Sequence, residues 1–415
     1  MPERADITYF GAGPALLPTD VLEGAATALL NYNGTGLGIA EHSHRSQHAT
    51  DIINEAKADL ATYLDIPADY EILFMQGGGS GEFSATAYNL VGAWVTRKKN
   101  QILKQLGTAK EEDANQDELV AALKKAVDSE LKMDYLVTGG WSLKAYQEAG
   151  RLFGTEYTNL AADSRPLNGG KFGKIPEEST WKLSKDAALV YYCDNETVDG
   201  HKLNDISGVE FPNFPDVLAP KSDGTGPIVV ADMSSNILSR RIPVKNFSVV
   251  FFGAQKNLGS TGITVVVIKK DLLPQPSPTL MRKLGLPIPP VVFSYETIAK
   301  NNSLYNTLSI FDVYIAGQVL KKLLKTFSDK VDGQEAVANQ KAALIYAALE
   351  AHPDVYHIVP DKAVRSRMNI CFRVAKDGET EKTEADFLKR GTAAGLTGLK
   401  GHRSVGGIRA SNWSV

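Results

Sequence analysis

The stretch from Ser248 to Ile268 constrains the fold of this chain more than any other segment. Two runs within it, Val249–Phe252 and Ile263–Ile268, are almost wholly apolar and rich in Val. Runs of that kind read as strands buried on both faces, which requires layers packed on either side of a sheet. Between them lies a short polar loop with a single lysine, Lys256, flanked by Gln255 and Asn257 and by glycines at 253, 259 and 262. An ammonium held against a core loses solvation and its pKa falls, so the free amine becomes a nucleophile toward a carbonyl. A solvated surface lysine is the simpler account of any lysine taken at random. The flanking residues favour a constrained site.

Upstream, Ile228–Ala231 is another short apolar run, and it ends on Asp232. In open α/β sheets ligands gather at the carboxyl ends of strands. A carboxylate there and a lysine on a neighbouring strand loop meet the needs of pyridoxal 5′-phosphate. The lysine takes the aldehyde, and the acid keeps the ring nitrogen protonated. Asp232 alone also suits a helix N-cap, as do Ser234 and Ser235.

At 415 residues the chain is expected to form two domains. From about residue 70 to 270, strand-like runs (Glu71–Met75, Tyr135–Thr138, Ala188–Cys193, Ile228–Ala231, Ser248–Phe252) alternate with helical patterns such as Ser84–Thr96 and Ser142–Phe153. That order predicts an α/β fold with a mostly parallel sheet between helices. Residues 1–16 read as an extended arm packing on the small domain and 17–330 as the large, cofactor-binding domain. Residues 331–415 read as a smaller α+β domain after a hinge at Ser328–Gly333. The segment 97–132 is rich in Lys, Glu, Asp and Gln and reads as a charged helical insertion on the surface. The formal charge of −3 gives no electrostatic case for nucleic acid or an anionic membrane as partner. Two cysteines far apart form no disulfide framework and no zinc pattern, which fits a reducing, cytoplasmic setting.

Several motifs add chemistry. Gln76-Gly-Gly-Gly79-Ser80-Gly-Glu82 follows a strand and precedes a helix, the setting of a phosphate cradle. It is neither a Walker A loop nor a hydrolase nucleophile elbow. Trp141 follows a strand and opens a helix, and either stacks on a planar ring or fills a gap between domains. Thr197 places a hydroxyl beside a strand end. His44-Arg45 and His402-Arg403 are two basic pairs. With Arg409 they suggest a substrate carrying more than one anionic group. His42, His44 and His48 match no standard ligand spacing, so no metal is expected.

Taken together, these segments resemble the phosphoserine aminotransferases, class V members of the fold-type-I pyridoxal-phosphate enzymes. The similarity runs from Tyr9-Phe-Gly-Ala-Gly-Pro to Gly407-Ile-Arg-Ala-Ser411. It is most specific at Gly-Ala-Gln-Lys256-Asn, Ser43-His-Arg45, Tyr305-Asn-Thr307 and Gly401-His-Arg-Ser-Val-Gly-Gly. The resemblance implies that Lys256 bonds the cofactor and that Asp232 pairs with its ring nitrogen. It implies that Trp141 stacks on the ring and Thr197 bonds its phenolic oxygen, with Gly79, Ser80 and Gln255 on the phosphate. Asn306 and Thr307 would reach that phosphate from the other subunit of a homodimer. Arg409 would hold the substrate α-carboxylate, and His44 and Arg45, with His402 and Arg403 of the partner subunit, the substrate phosphate or the glutamate side-chain carboxylate. The implied reaction is a ping-pong exchange in which L-glutamate becomes 2-oxoglutarate and 3-phosphohydroxypyruvate becomes O-phospho-L-serine, a step of serine biosynthesis.

The sequence departs from the family pattern at Ser80-Gly-Glu82, where many members carry Arg or Thr and then Gln. After Arg409-Ala-Ser the family continues into a last helix, whereas here Asn412-Trp-Ser-Val415 follows. From that difference we expect an exposed apolar patch on the small domain and a loosely held Arg409. The rivals are an alanine–glyoxylate-type aminotransferase, a cysteine desulfurase, or a truncated product that binds the cofactor without turnover. A desulfurase needs a cysteine on a mobile loop, and Cys193 and Cys371 both sit in apolar runs. An alanine-type site has no use for two His-Arg pairs.

Overall fold

The computed structural model describes residues 3–108, 111–197, 208–221, 226–376, 378–401 and 406–413. The short β1 (Thr8–Tyr9) is followed by helices α1 (Thr19–Leu30) and α2 (Gln47–Leu64). Strand β2 (Tyr70–Gln76), helix α3 (Gly79–Gln105) and helix α4 (Gln116–Glu130) come next. The chain then runs through β3 (Met133–Val137), α5 (Gly140–Phe153), β4 (Thr158–Asp163) and β5 (Leu189–Cys193). Strands β6 (Val229–Asp232), β7 (Val249–Gly253) and β8 (Ile263–Lys269) complete the large sheet. Helices α6 (Pro278–Lys283), α7 (Tyr295–Lys300), α8 (Ile310–Thr326) and α9 (Val331–Glu350) lead to β9 (Tyr356–Ile358) and β10 (Asn369–Val374). Helix α10 (Thr380–Ala393), β11 (Leu396–Thr397) and β12 (Ile408–Ser411) follow.

The seven-stranded sheet has the order β2-β8-β7-β6-β5-β3-β4. Strands β7, β6, β5, β3 and β4 pair in parallel. Strand β8 runs against both its neighbours, β2 and β7, so β8 alone is reversed. The carboxyl ends of the other six therefore share one edge.

Successive residues of β7 explain its unbroken hydrophobicity. Val249 and Phe251 join one apolar core, and Val250 and Phe252 join the other. The first core is filled by α3, α4 and α5, the second by α1, α2 and α8. Because strand side chains alternate in direction, a sheet covered by helices on both faces needs apolar residues at every position.

The charged segment 97–132 differs from its reading as a surface insertion. It holds the end of α3 and all of α4, and Leu119, Leu123, Ala126 and Val127 are buried in the first core. Its charges occupy the outer face, and an apolar stripe at helical spacing docks the inner one. Leu123→Ala is therefore expected to cost about 2–5 kcal/mol in urea unfolding. Lys124→Ala, on the exposed face, should stay within about 0.5 kcal/mol. Equal, small effects would return α4 to the surface.

A second, three-stranded sheet has the order β12-β10-β9 and is antiparallel. Helices α9 and α10 supply Ala342, Leu349, Phe387 and Leu388 to its own apolar cluster. The segment Ser328–Gly333 read as a hinge runs into the first turn of α9. The N-terminal arm crosses to this side: β1 pairs in parallel with β11, and Trp413 donates its indole N–H to the Gly11 carbonyl at 2.7 Å.

Candidate active site

Strands β2, β3, β5, β6 and β7 end along one edge, and the residues just past their ends surround a single cavity of about 250 Å³. Its lining includes Gly79 and Ser80 after β2, Trp141 after β3, and Cys193, Asn195 and Thr197 at the end of β5. Asp232, Ser234 and Ser235 come from the end of β6, and Gln255 and Lys256 from the turn after β7. The sheet's direction, more than any one motif, brings these residues together.

Lys256 is half-buried, and its amine is influenced by Asp232, Cys193, Arg409 and Glu196. Burial pulls the ammonium below the ordinary lysine range, and the nearby Asp232 only partly offsets this. A neutral amine is the form that attacks a carbonyl. Asp232 is buried, and its Oδ1 accepts the Ser234 N–H at 2.9 Å. Burial raises its pKa, opposed by that hydrogen bond and by Lys256. Cys193 is the last residue of β5, and burial pushes its thiol up, so its thiolate is disfavoured as a nucleophile.

The phosphate cradle is built by close backbone approach. A Cβ on Gly77 would lie 2.2 Å from the Thr261 carbonyl oxygen, and Gly78 adopts φ +127°. Gly78 N–H donates to the Thr264 hydroxyl at 3.0 Å. Helix α3 then starts without any side-chain cap. Its first amides keep their donors and the positive end of the helix for an anion.

Trp141 opens α5, and its indole N–H donates to Thr197 Oγ1 at 3.0 Å, so the stacking and hydroxyl residues read from the sequence are directly bonded. Arg409 on β12 is buried and in register with Cys371 of β10. Its Nη1 donates to the Thr197 carbonyl at 3.0 Å, and its Nε has no partner. Among the described residues no carboxylate pairs with it. Burial and the bond to Thr197 hold Arg409 between the two sheets, whereas the departure from the family pattern after Ser411 predicts a loosely held side chain.

Asn306, Thr307, His44 and Arg45 do not line this cavity. The Thr307 carbonyl accepts from Gln76 Nε2 at 2.7 Å, and Asn306 Oδ1 accepts the Thr307 N–H at 2.8 Å. His44 and Arg45 lie in the turn before α2, where His44 Nε2 is buried without a partner. His402 and Arg403 lie outside the described residues.

Two buried carboxylates beside the cavity have no role assigned from sequence. Glu196 accepts hydrogen bonds from Trp141 and Ser142, which oppose the burial that lifts it to about 7. Glu82, one turn into α3, accepts the Tyr295 hydroxyl at 2.6 Å. Burial likewise pushes Glu82 up to about 7 from 4.5, the Tyr295 bond opposing. Both follow glycine or strand-end motifs, the one signal that marks them. A carboxyl that is harder to ionise when folded stabilises below its unfolded pKa and loses that contribution as pH rises through the folded value. Between pH 4.5 and 7 the wild-type apo-protein should therefore lose stability relative to Glu82→Gln. Parallel melting-temperature curves for the two proteins would show that Glu82 stays charged in the fold.

The residues present fit pyridoxal 5′-phosphate. An uncapped helix start for a phosphate, a ring-sized aromatic, a buried acid and a desolvated lysine face the same cavity. The sequence profile Aminotransferase class-V matches residues 7–125 and 119–411. The phosphoserine aminotransferase of Saccharomyces cerevisiae is 41% identical over 419 residues, covering 100% of this chain and 94% of the relative. That of Drosophila melanogaster is 38% identical over 409 residues, covering 99% and 94%. Among solved structures, the phosphoserine aminotransferase from Bacillus circulans subsp. alkalophilus superposes with a TM-score of 0.76 at 34% identity, covering 98% of this chain and 92% of its own. The pyridoxal-phosphate-bound enzyme from Trichomonas vaginalis gives the same TM-score at 33% identity, covering 98% and 94%.

Proposed function

Because the chain belongs to the phosphoserine aminotransferases of class V, we propose that it transfers the amino group of L-glutamate to 3-phosphohydroxypyruvate. The products are 2-oxoglutarate and O-phospho-L-serine, and the chain is a pyridoxal-phosphate-dependent transaminase with the fold of that family. One observation carries the reading. Lys256, Asp232 and Trp141 converge on one cavity beneath the uncapped start of α3.

When bound, pyridoxal 5′-phosphate supplies an aldehyde that accepts the amino group and a ring that spreads the electrons of the broken Cα–H bond. Lys256 would hold the cofactor through its aldehyde carbon, and its Nζ would move the proton from the substrate Cα to that same carbon. Asp232 would hold a proton on the ring nitrogen, Thr197 would donate to the phenolic oxygen, and Trp141 would cover the ring. Gly79, Ser80 and Gln255 bind the phosphate through the start of α3 and the turn after β7.

Arg409 takes the substrate α-carboxylate; its buried guanidinium has an Nε without a partner and no carboxylate beside it among the described residues, which supports this role. His44 and Arg45, with His402 and Arg403 of the partner subunit, grip the substrate phosphate or the second carboxylate of glutamate. This division assigns the cofactor to residues 17–330 and Arg409 to residues 331–415, with residues 1–16 as an arm packing on the small domain.

The active form is a homodimer in which the partner subunit's Asn306 and Thr307 reach the cofactor phosphate. Exposed Leu29, Leu30 and Leu37, gathered at the end of α1 and the turn after it, support an apolar interface. No helix among the described residues is long and apolar enough to cross a membrane. Cys193 and Cys371 are both buried and form no disulfide with each other, which supports a reducing compartment, the cytoplasm.

The test is a single half-reaction. Cofactor-loaded protein is mixed separately with O-phosphoserine, serine and alanine, and conversion of the cofactor to its amine form is followed by absorbance. Fast conversion with O-phosphoserine alone is expected. Conversion with alanine but not with O-phosphoserine would overturn the substrate while leaving the transaminase standing.

A further inference from the structure

Two helices begin at the cavity, α3 and α5, and their starts are treated in opposite ways. Helix α3 has no side-chain cap. Helix α5 receives a buried carboxylate from the end of β5. Glu196 Oε2 accepts the Trp141 N–H at 3.0 Å, and Oε1 accepts the Ser142 N–H at 2.8 Å and the Ser142 hydroxyl at 2.5 Å. Those two amides belong to the first turn, whose donors no helical carbonyl can satisfy.

Gly139, just before α5, leaves room for this side chain. A Cβ there would lie 2.4 Å from Glu196 Cδ. Glu196 thus occupies the space a local capping side chain would fill. The next residue, Thr197, accepts the Trp141 indole N–H at 3.0 Å. The Lys144 ammonium sits 4.2 Å over the centre of a Trp141 ring. Residues 196 and 197 therefore hold Trp141 at both its backbone and its indole nitrogen.

An anion entering the cavity meets uncompensated helix charge at α3 and an internal carboxylate at α5. We propose that Glu196 is a positioning residue that fills the anion position at the start of α5, so that the cofactor phosphate docks only on α3 and the ring lies against a fixed Trp141. The inference rests on the pyridoxal-phosphate reading above and extends it to a residue that need not touch the cofactor.

Glu196→Gln keeps the shape and one acceptor but turns an amide N–H₂ toward a backbone donor and removes the charge. Three quantities are measured on wild type and variant above pH 8, where Glu196, lifted by burial to about 7, is ionised: cofactor affinity of the apo-protein by tryptophan quenching, visible circular dichroism of the loaded protein, and apo-protein melting temperature. We expect E196Q to bind pyridoxal 5′-phosphate roughly tenfold more weakly, the scale of one lost charge-assisted hydrogen bond. Its visible dichroism should shrink as the ring loses its fixed partner, and Glu196→Asp, which keeps the charge, should recover part of the signal.

Unchanged affinity and dichroism in E196Q overturn the proposal. So does a lower apo-protein melting temperature with both unchanged, which would make Glu196 only a structural cap. If E196Q does not fold, Ser142→Ala removes one of the three bonds and should weaken binding a few-fold. Wild-type values for S142A would then overturn the proposal. Failure of wild type to bind the cofactor would instead defeat the underlying reading, so the two failures are distinguishable.

Discussion

Replacing Lys256 with alanine should slow conversion of the cofactor by O-phosphoserine by roughly four orders of magnitude, the upper range for loss of a positioned acid–base group. The variant should also fail to retain the cofactor after borohydride reduction, because no amine remains to be linked. Its apo-protein should melt no lower than wild type. The ammonium is desolvated in the fold, with Asp232 only partly compensating, so its removal relieves a cost of folding. That combination of lost turnover and kept stability marks a residue retained for chemistry. Activity within tenfold of wild type would remove Lys256 from the centre of the mechanism and with it the whole assignment.

Asp232→Asn should be nearly as damaging, by roughly two to three orders of magnitude, the range for one preorganised electrostatic contact. Asparagine preserves the shape and can still accept the Ser234 N–H through Oδ1, so the change is one of charge alone. A neutral amide cannot keep a proton on the ring nitrogen, and the ring then spreads the Cα electrons poorly. The linked cofactor should still form, because Lys256 is intact. The loss should therefore fall on the rate of the half-reaction, with cofactor occupancy read separately by absorbance. A slow half-reaction caused by low occupancy would move Asp232 from the chemistry to cofactor retention.

Much of this site was legible because its members lie just beyond apolar runs. The carboxyl ends of β2, β3, β5, β6 and β7 share one edge, so reading where each run stops is nearly the same as reading the cavity wall. Lys256, Asp232, Trp141, Thr197, Gly79, Ser80 and Gln255 were found that way or through the family likeness, and all line the cavity. The contacts between distant segments were not legible. Nothing in the order of residues says that Arg409 of the small sheet meets the Thr197 carbonyl, or that Glu196 caps a helix from another strand.

The elements missed were those with weak apolar patterns. Strand β4 is an edge strand with Thr and Asn at its start. Helix α10 has only Glu384 fully buried and offers just the half-buried Phe387 and Leu388 to the small sheet, so its apolar stripe is short. In α4 the charges dominate the composition and hide the stripe of Leu119, Leu123 and Ala126 that docks on the core. A helix with one buried face and a strongly charged outer face has the same composition as a solvated one, and only the docking partner separates them.

The alternation of β7 between two cores has a consequence for how the fold holds its register. In a sheet with one wet face, a slip of one residue would move apolar side chains into water and be strongly opposed. Here both faces are dry, so a slipped strand would still present apolar side chains on either side, and hydrophobicity alone discriminates weakly. A slip would nonetheless carry Lys256 along by about 3.3 Å, the rise of one strand residue. Positional information must then come from the ends of the strands, from Asp232 with its Ser234 bond and from Gly253, whose N–H donates to the Ser234 hydroxyl. The residues that flank the chemistry are also the punctuation that keeps the sheet in frame. An insertion in β7 would be an informative lesion: a protein that still folds, with its nucleophile one step out of place.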